Sequence, residues 1–310
     1  MAKRKYTAPE LHRLEMSSRW PRISIVTAVR NGEKYLEATI RSVINQHYPN
    51  LEYIVIDGGS TDRTLEIIRA YAAHISYWIS EPDGGLFDAL NKGFAWSTGE
   101  IMGWLNASDM LQLNGLMVVG SVLGAFPQIE WITGRPTKFS PAGMTVNVWS
   151  PPHWSRLRFL AGANKYIQQE STYWRRSLWE RAGGALSTAY RAEGDFELWA
   201  RFFRYAKLYT VDALIGGYRS HEDALSLAGL NQYDRNCDEV VNRELEEAPW
   251  RSAIKMFRWL DRVVKPIPKV RGLWQRTAMR SLYHLPGPDW PPLIVEGTDG
   301  WVARNSGRAR

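Results

Sequence analysis

A single cysteine, Cys237, stands among the 310 residues. The chain therefore cannot staple itself with an internal disulfide, a thiol economy that fits a reducing compartment. No run of 18 apolar residues occurs, so no segment is long enough to cross a bilayer as a helix. Residues 1–20 are polar and basic without the apolar stretch of a secretory signal, which sets the expectation of a cytoplasmic protein. Internal repeats and low-complexity tracts are lacking. After the first strand-like run there is no G-x-G-x-x-G turn, which disfavours a dinucleotide oxidoreductase. There is no glycine- and lysine-rich loop either, only Arg30-Asn31-Gly32-Glu33, which disfavours a nucleotidyltransferase.

What is present is apolar content of 45%. That is enough for one large domain with an appendage, or for two modest ones. The formal charge of +7 is unevenly placed: residues 251–280 carry nine Lys/Arg against one acid, Asp261. A basic tail on a near-neutral body points to an anionic surface met by the tail. From Trp250 to Lys265, Arg251, Lys255, Arg258, Arg262 and Lys265 fall within an arc of about 80° at helical spacing. Trp250, Ile254, Phe257, Leu260 and Val264 occupy the neighbouring face. Such a helix docks on the body by its apolar face or lies on an anionic membrane surface. No nucleic-acid module accompanies the basic run, so no nucleic-acid partner is expected.

Ahead of that tail, strand-like and helix-like runs alternate. Arg22–Ala28, Leu51–Ile56, Ile75–Ser80 and Ile101–Leu105 read as buried strands, and Leu36, Ile40, Val43 and Ile44 recur at helical spacing. Short connections of this kind require right-handed crossovers and a parallel sheet covered on both faces, hence an α/β fold. Ligands bind past the carboxyl ends of such strands. Asp109, at the end of Trp104-Leu105-Asn106-Ala107-Ser108-Asp109, is thus well placed to hold a hard divalent cation against a phosphate. The same segment also reads as a strand end closed by an Asn/Ser/Asp turn.

Four motifs in order, Thr27-Ala28-Val29-Arg30-Asn31-Gly32, Ile56-Asp57-Gly58-Gly59-Ser60-Thr61-Asp62, Glu81-Pro82-Asp83-Gly84-Gly85 and Leu105-Asn106-Ala107-Ser108-Asp109, resemble the family 2 glycosyltransferases of the GT-A fold. Asp195-Phe196-Glu197-Leu198-Trp199 and Tyr218-Arg219-Ser220-His221 extend the resemblance, which covers roughly residues 20–225. It implies a Rossmann-type sandwich, with a mostly parallel central sheet and helices on both faces. The expected division is an extension at 1–20, a GT-A domain at 21–228 and a helical, basic, amphipathic tail at 229–310.

The resemblance also implies roles. Asp57 would read the nucleobase, with Thr27 and Val29 lining its pocket, and Asp83 and Asn91 would lie around the ribose and diphosphate. Lys92 would reach phosphate, and Asp109, with Ser108 where the family usually has a second acid, would meet Mn²⁺ or Mg²⁺. His221 matches a late histidine that often adds a second metal ligand. Asp195 matches the catalytic base of an inverting transfer, although Gly194 replaces the acid that usually precedes it. Tyr173, Trp174 and Trp199 would offer a face to an acceptor sugar. The implied partners are a UDP, GDP or dTDP type sugar donor and a saccharide or polyprenyl-linked acceptor. The anionic membrane surface would be met through residues 250–280, at the inner face of the plasma membrane. Ser108 and Gly194 keep open a sugar-nucleotide-binding protein without turnover.

Overall fold

A computed structural model describes residues 20–162, 166–222, 230–246, 248, 251–264, 267 and 291–304. The expected extension at 1–20 therefore lies, but for Trp20, outside the described residues, as do Trp250, Lys265 and the basic positions from 269 to 280.

The first half is a regular alternation: β1 (Ile23–Val29), α1 (Leu36–Ile44), β2 (Leu51–Asp57), α2 (Thr64–Ala70), β3 (Tyr77–Ser80), α3 (Leu86–Trp96) and β4 (Ile101–Trp104). All seven residues of β1 are buried, as a strand covered on both faces requires. Its alternate side chains enter two cores. Val26 and Ala28 join Leu90 and Phe94 of α3. Ile23, Ile25 and Val29 join Leu36, Ile40 and Val43 of α1. Gly93 lets α3 lie against the sheet, because a Cβ there would come within 2.4 Å of Val26.

The second half is less regular: β5 (Met110–Leu111), α4 (Gly115–Ala125), β6 (Trp131–Thr133), β7 (Thr137–Phe139), β8 (Thr145–Val148), α5 (Arg156–Leu160), β9 (Thr172–Arg175), α6 (Arg176–Arg181), α7 (Gly194–Tyr205), β10 (Leu208–Thr210) and β11 (Gly216–Arg219). The main sheet has the order β10-β6-β9-β4-β1-β2-β3. It is parallel except for β9, which runs antiparallel to β4 and β6. A second sheet, β5-β11-β7-β8, stands beside it. Strand order reverses between β1 and its two neighbours, so β2 and β4 leave a crevice at the carboxyl ends.

Among the described residues after 228, both helices pack on the body. In α8 (Leu230–Leu245), Cys237, Val240, Val241 and Leu245 belong to the same core as β4 and α7. α9 (Arg251–Val264) seats Ile254 in that core, with Phe257 packed against it. Asp238 of α8 binds Arg258 and, at 2.7 Å, Arg262. The chain then returns as a hairpin, β12 (Leu293–Gly297) and β13 (Gly300–Arg304), which the helical expectation missed. Val211 bridges to Ile294, and the Trp301 indole donates to Ser121 Oγ at 2.8 Å.

Candidate functional site

A cavity of about 1080 Å³ opens at the carboxyl ends of β1 and β4. Its donor-side wall is made by adjacent loops laced together. Asn31, held at φ 51°, accepts the Thr61 amide at 2.9 Å, while the Asn31 and Gly32 amides donate to Ser60 Oγ and Thr64 Oγ1 at 2.7 and 2.8 Å. The loop after β4 is pinned from α1: Thr39 Oγ1 lies 3.0 Å from the Ala107 carbonyl and 2.8 Å from that of Asp109. Val29, Asp83, Ser108, Asp109, Asp195 and His221, six of the residues singled out in the sequence, line this one cavity.

Others do not. Thr27 is buried beneath the strand end, where the Tyr53 hydroxyl donates to its Oγ1 at 3.2 Å. Asp57 sits at its strand end, but its carboxylate accepts from the Ser60 amide and hydroxyl and, at 2.6 Å, from the Ser80 hydroxyl. Its work in the structure is to shape the loop. Gly58 makes room beside it, since a Cβ there would lie 2.4 Å from Asp83 Oδ2. Asn91 and Lys92 lie farther along α3 than the residues of that helix that line the cavity, Leu86, Phe87 and Ala89. Asn91 clamps Leu186 through its amide and carbonyl at 2.8 and 2.9 Å, and Lys92 pairs with Glu81 at 2.9 Å.

Tyr173, Trp174 and Trp199 cannot serve as an open acceptor face. They are 1%, 0% and 1% exposed. β9 is a central strand, so its side chains point into layers on both sides; Trp199 stacks on Trp104 and Trp131 at 5.8 and 5.6 Å. The aromatic residues that line the cavity are instead Tyr35, Phe87, Trp104, Trp149, Tyr166, Tyr218 and Tyr233, Tyr166 and Tyr233 being stacked at 6.0 Å. Trp149 lies in the irregular run before Pro151-Pro152, where no periodicity marks it.

Three carboxyl groups line the cavity, those of Asp109 and Glu170 buried and that of Asp195 half-buried. Asp109 accepts the Arg219 main-chain N–H at 2.8 Å and the Asn106 amide at 3.0 Å. Desolvation nevertheless pushes it up to about 6. Beside it is Glu170, in the turn Gln169–Ser171 before β9. Desolvation and the charge of Asp109 hold its carboxyl well above the usual range. Asp195, in the first turn of α7, is raised by burial to about 7, Glu193 adding to the shift. Its Oδ1 accepts the Phe196 amide at 2.7 Å. Glu170 escaped the sequence reading because it sits in a stretch that reads only as extended, with no glycine or acid neighbour to mark it. Arg219 crosses over the Tyr35 ring at 5.0 Å, and His221 packs on the same ring at 4.7 Å.

Gly194 has a packing reason. A Cβ at that position would lie 2.6 Å from the ring of Phe87, itself buried against the cavity. The ring fills the space that a side chain before Asp195 would take.

Residues 24–113 match the model of the glycosyl transferase family 2. An uncharacterised glycosyltransferase of Mycobacterium tuberculosis is 30% identical over 53% of this chain and 62% of its own length. The chain thus spans less than two thirds of the first curated relatives it matches. A PGL/p-HBAD biosynthesis glycosyltransferase of Mycobacterium bovis is 27% identical over 84% of this chain and 96% of its own. Among solved structures, Staphylococcus aureus TarS 1–349 in complex with UDP-GlcNAc superposes with a TM-score of 0.62 at 14% identity, over 76% of this chain and 70% of that one. The mannosyltransferase PcManGT of Pyrobaculum calidifontis, in complex with GDP-Man and Mn²⁺, gives 0.52 at 16% identity, over 89% and 95%. The fold is that of the GT-A glycosyltransferases.

Proposed function

We propose that this chain, which carries the glycosyltransferase family 2 signature in residues 24–113, moves a sugar from a nucleoside diphosphate to a saccharide or polyprenyl-linked acceptor with inversion, in the assembly of a glycan. The observation that carries this reading is that Asp109 and Asp195, from opposite halves of the chain, face one strand-end cavity. The nucleotide lies against Val29, Asp83 and the loops that Asn31 and Asp57 shape. Its diphosphate lies toward Asp109 and the amino end of α3, where Gly85 and Leu86 line the cavity.

The Asp195 carboxylate takes the proton of the attacking acceptor hydroxyl. The acceptor oxygen bonds to the anomeric carbon from the face opposite the diphosphate, which departs with the electron pair of the broken C–O bond. Asp195 is suited to this because burial raises its affinity for protons to near neutrality, where a general base works best. The Phe196 amide fixes its orientation.

The carboxyl oxygens of Asp109 and Glu170 fit a hard cation, and His221 lines the same cavity. Among the described residues no three His, Cys, Asp or Glu side chains converge into a preformed cage. Donor oxygens would therefore complete the ligand set, a common arrangement for Mg²⁺. Bound there, Mn²⁺ or Mg²⁺ supplies charge to neutralise the leaving diphosphate.

The acceptor enters past Trp149, Tyr166 and Tyr233, whose ring faces suit a sugar or a prenyl chain. For a lipid-linked acceptor the protein meets an anionic bilayer through α9. Of the face named in the sequence, Ile254 is at 0% exposure and Phe257 packs against the same core. A second stripe, Met256, Trp259 and Val263, stands 62%, 62% and 50% exposed. It is flanked by exposed Arg251, Lys255 and Arg262, the pattern of a helix that lies in an interface. Donor hydrolysis with added Mn²⁺, measured across UDP-, GDP- and dTDP-sugars, tests turnover. Nucleotide binding without any hydrolysis or transfer would favour the binding protein that lacks turnover.

A further inference from the structure

We propose that Glu170 is the second carboxylate of the cation site, standing beside Asp109 in the cavity wall in place of any acid at position 108. This rests on the metal-dependent reading above. Glu170 is 6% exposed and lines the cavity, and its Oε2 has no hydrogen-bond partner. A buried carboxyl oxygen without a donor is costly, so its presence in the wall of a cavity marks a place where something positive or donating binds.

The surroundings narrow what that is. Asp109 and Glu170 lie within hydrogen-bonding reach of each other. Two carboxyl groups set side by side in one buried wall make a place for a positive group. The nearby guanidinium adds charge near Asp109 without bonding to it through Nε or Nη2: Arg219 gives Asp109 its main-chain N–H, and the group lies over Tyr35. Ser108 lines the cavity but brings no charge. What fits is a small cation with a taste for oxygen, Mg²⁺ or Mn²⁺, held by two carboxylates with the remaining positions left to donor oxygens and water.

Glu170 is also held firmly. On one side Gln169 Nε2 donates to the Trp104 carbonyl, and on the other Ser171 Oγ donates to the Gly216 carbonyl at 2.7 Å. Gly216 is required for that contact, since a Cβ there would lie 2.2 Å from the Glu170 carbonyl oxygen. The segment thus presents the carboxyl on a rigid support, as a metal ligand needs.

The test is Mn²⁺ binding to the full chain, read from the electron paramagnetic resonance signal of free Mn²⁺, alone and with UDP, GDP or dTDP. Glu170→Gln keeps the shape and removes the charge, and it is expected to weaken Mn²⁺ binding by at least about tenfold, as Asp109→Asn does. Ser108→Ala is expected to stay within about twofold of the parent, since neutral hydroxyls add little to a hard-cation site. Thermal unfolding of the variants without Mn²⁺ guards against loss of fold, and neither carboxamide is expected to unfold earlier. Parental binding by Glu170→Gln, with loss in Asp109→Asn, overturns the role of Glu170 and leaves the metal-dependent reading standing. A parent that binds no Mn²⁺ with any of the three nucleotides overturns both.

Discussion

The two halves of the molecule build the cavity by different means. Up to β4, each site residue sits directly after a buried strand or in the loop before the following helix, so position in sequence and position in the sheet are almost the same thing. After β4, the residues that complete the site come from a turn before β9 (Glu170), a helix start (Asp195) and the end of β11 (Arg219 and His221). Packing of the antiparallel β9 between β4 and β6 and of α7 on that sheet, with pairing of β11 to β5 and β7, brings them together. On the function proposed above, the strand-end half holds the donor, and the later half brings the base and a second carboxylate to it.

The largest effect expected from that division is in Asp195→Asn. It keeps shape but cannot accept a proton, so transfer should fall by about 10²- to 10⁴-fold with donor affinity unchanged. The parental rate should rise with pH and level off above about 7, as Asp195 ionises. A folded Asn variant with the parental rate would detach the chemistry from the later half.

A second consequence is in stability. The Asp195 carboxyl titrates near 7 when folded, against about 4 in an unfolded chain. Its protonation favours the native state, so the contribution is full below about pH 4 and is lost as pH rises through about 7. The loss is bounded at roughly 4 kcal/mol. Asp195→Asn should therefore gain in Tm over the parent between pH 4 and 7, then hold that gain. A constant difference across the range would mean that Asp195 is hydrated in solution.

Gly194→Ala sharpens the seam between the halves, since its added methyl meets Phe87 of α3. Overpacking of this kind costs about 1–3 kcal/mol, to be read from denaturant midpoints. An unchanged midpoint would show that the ring moves freely. The smallest effect is on α9: replacing Met256, Trp259 and Val263 by Ser should lower sedimentation with phosphatidylglycerol vesicles by about tenfold, with catalysis in solution intact. Equal pelleting would remove the bilayer from the account.

The same contrast explains what could be read from the chain. The α/β alternation, the strand ends and the cavity-facing Asp109 were legible because strands covered on both faces leave long apolar runs with polar stops, whereas Val29, Asp83 and Ser108 came through the resemblance. Asp195 and His221 were legible only through the resemblance. Glu170 was not, because nothing local distinguishes it. Tyr173, Trp174 and Trp199 misled for a physical reason: aromatic residues suit a core as well as a sugar face, and β9 turned out to be central. The basic helix was read as docking on the body or lying on a membrane, and it docks by Ile254 and Phe257 while Met256, Trp259 and Val263 stay exposed. The β12–β13 hairpin, ten residues of ladder beyond the helices, gains its place from contacts to Val211 and Ser121 that periodicity cannot show.

The central claim is that a nucleoside diphosphate and a divalent cation bind together at the strand ends. It is tested most directly by thermal unfolding with UDP, GDP, CDP or dTDP, each with and without Mn²⁺, on the parent, Asp109→Asn and Asp195→Asn. A ligand at a hundred times its Kd adds about 2.7 kcal/mol. One nucleotide should raise the parental Tm by several degrees, most with Mn²⁺. Asp109→Asn should lose the Mn²⁺-dependent part, and Asp195→Asn should keep it. No shift of the parent by any of the four, with or without Mn²⁺, would contradict the account.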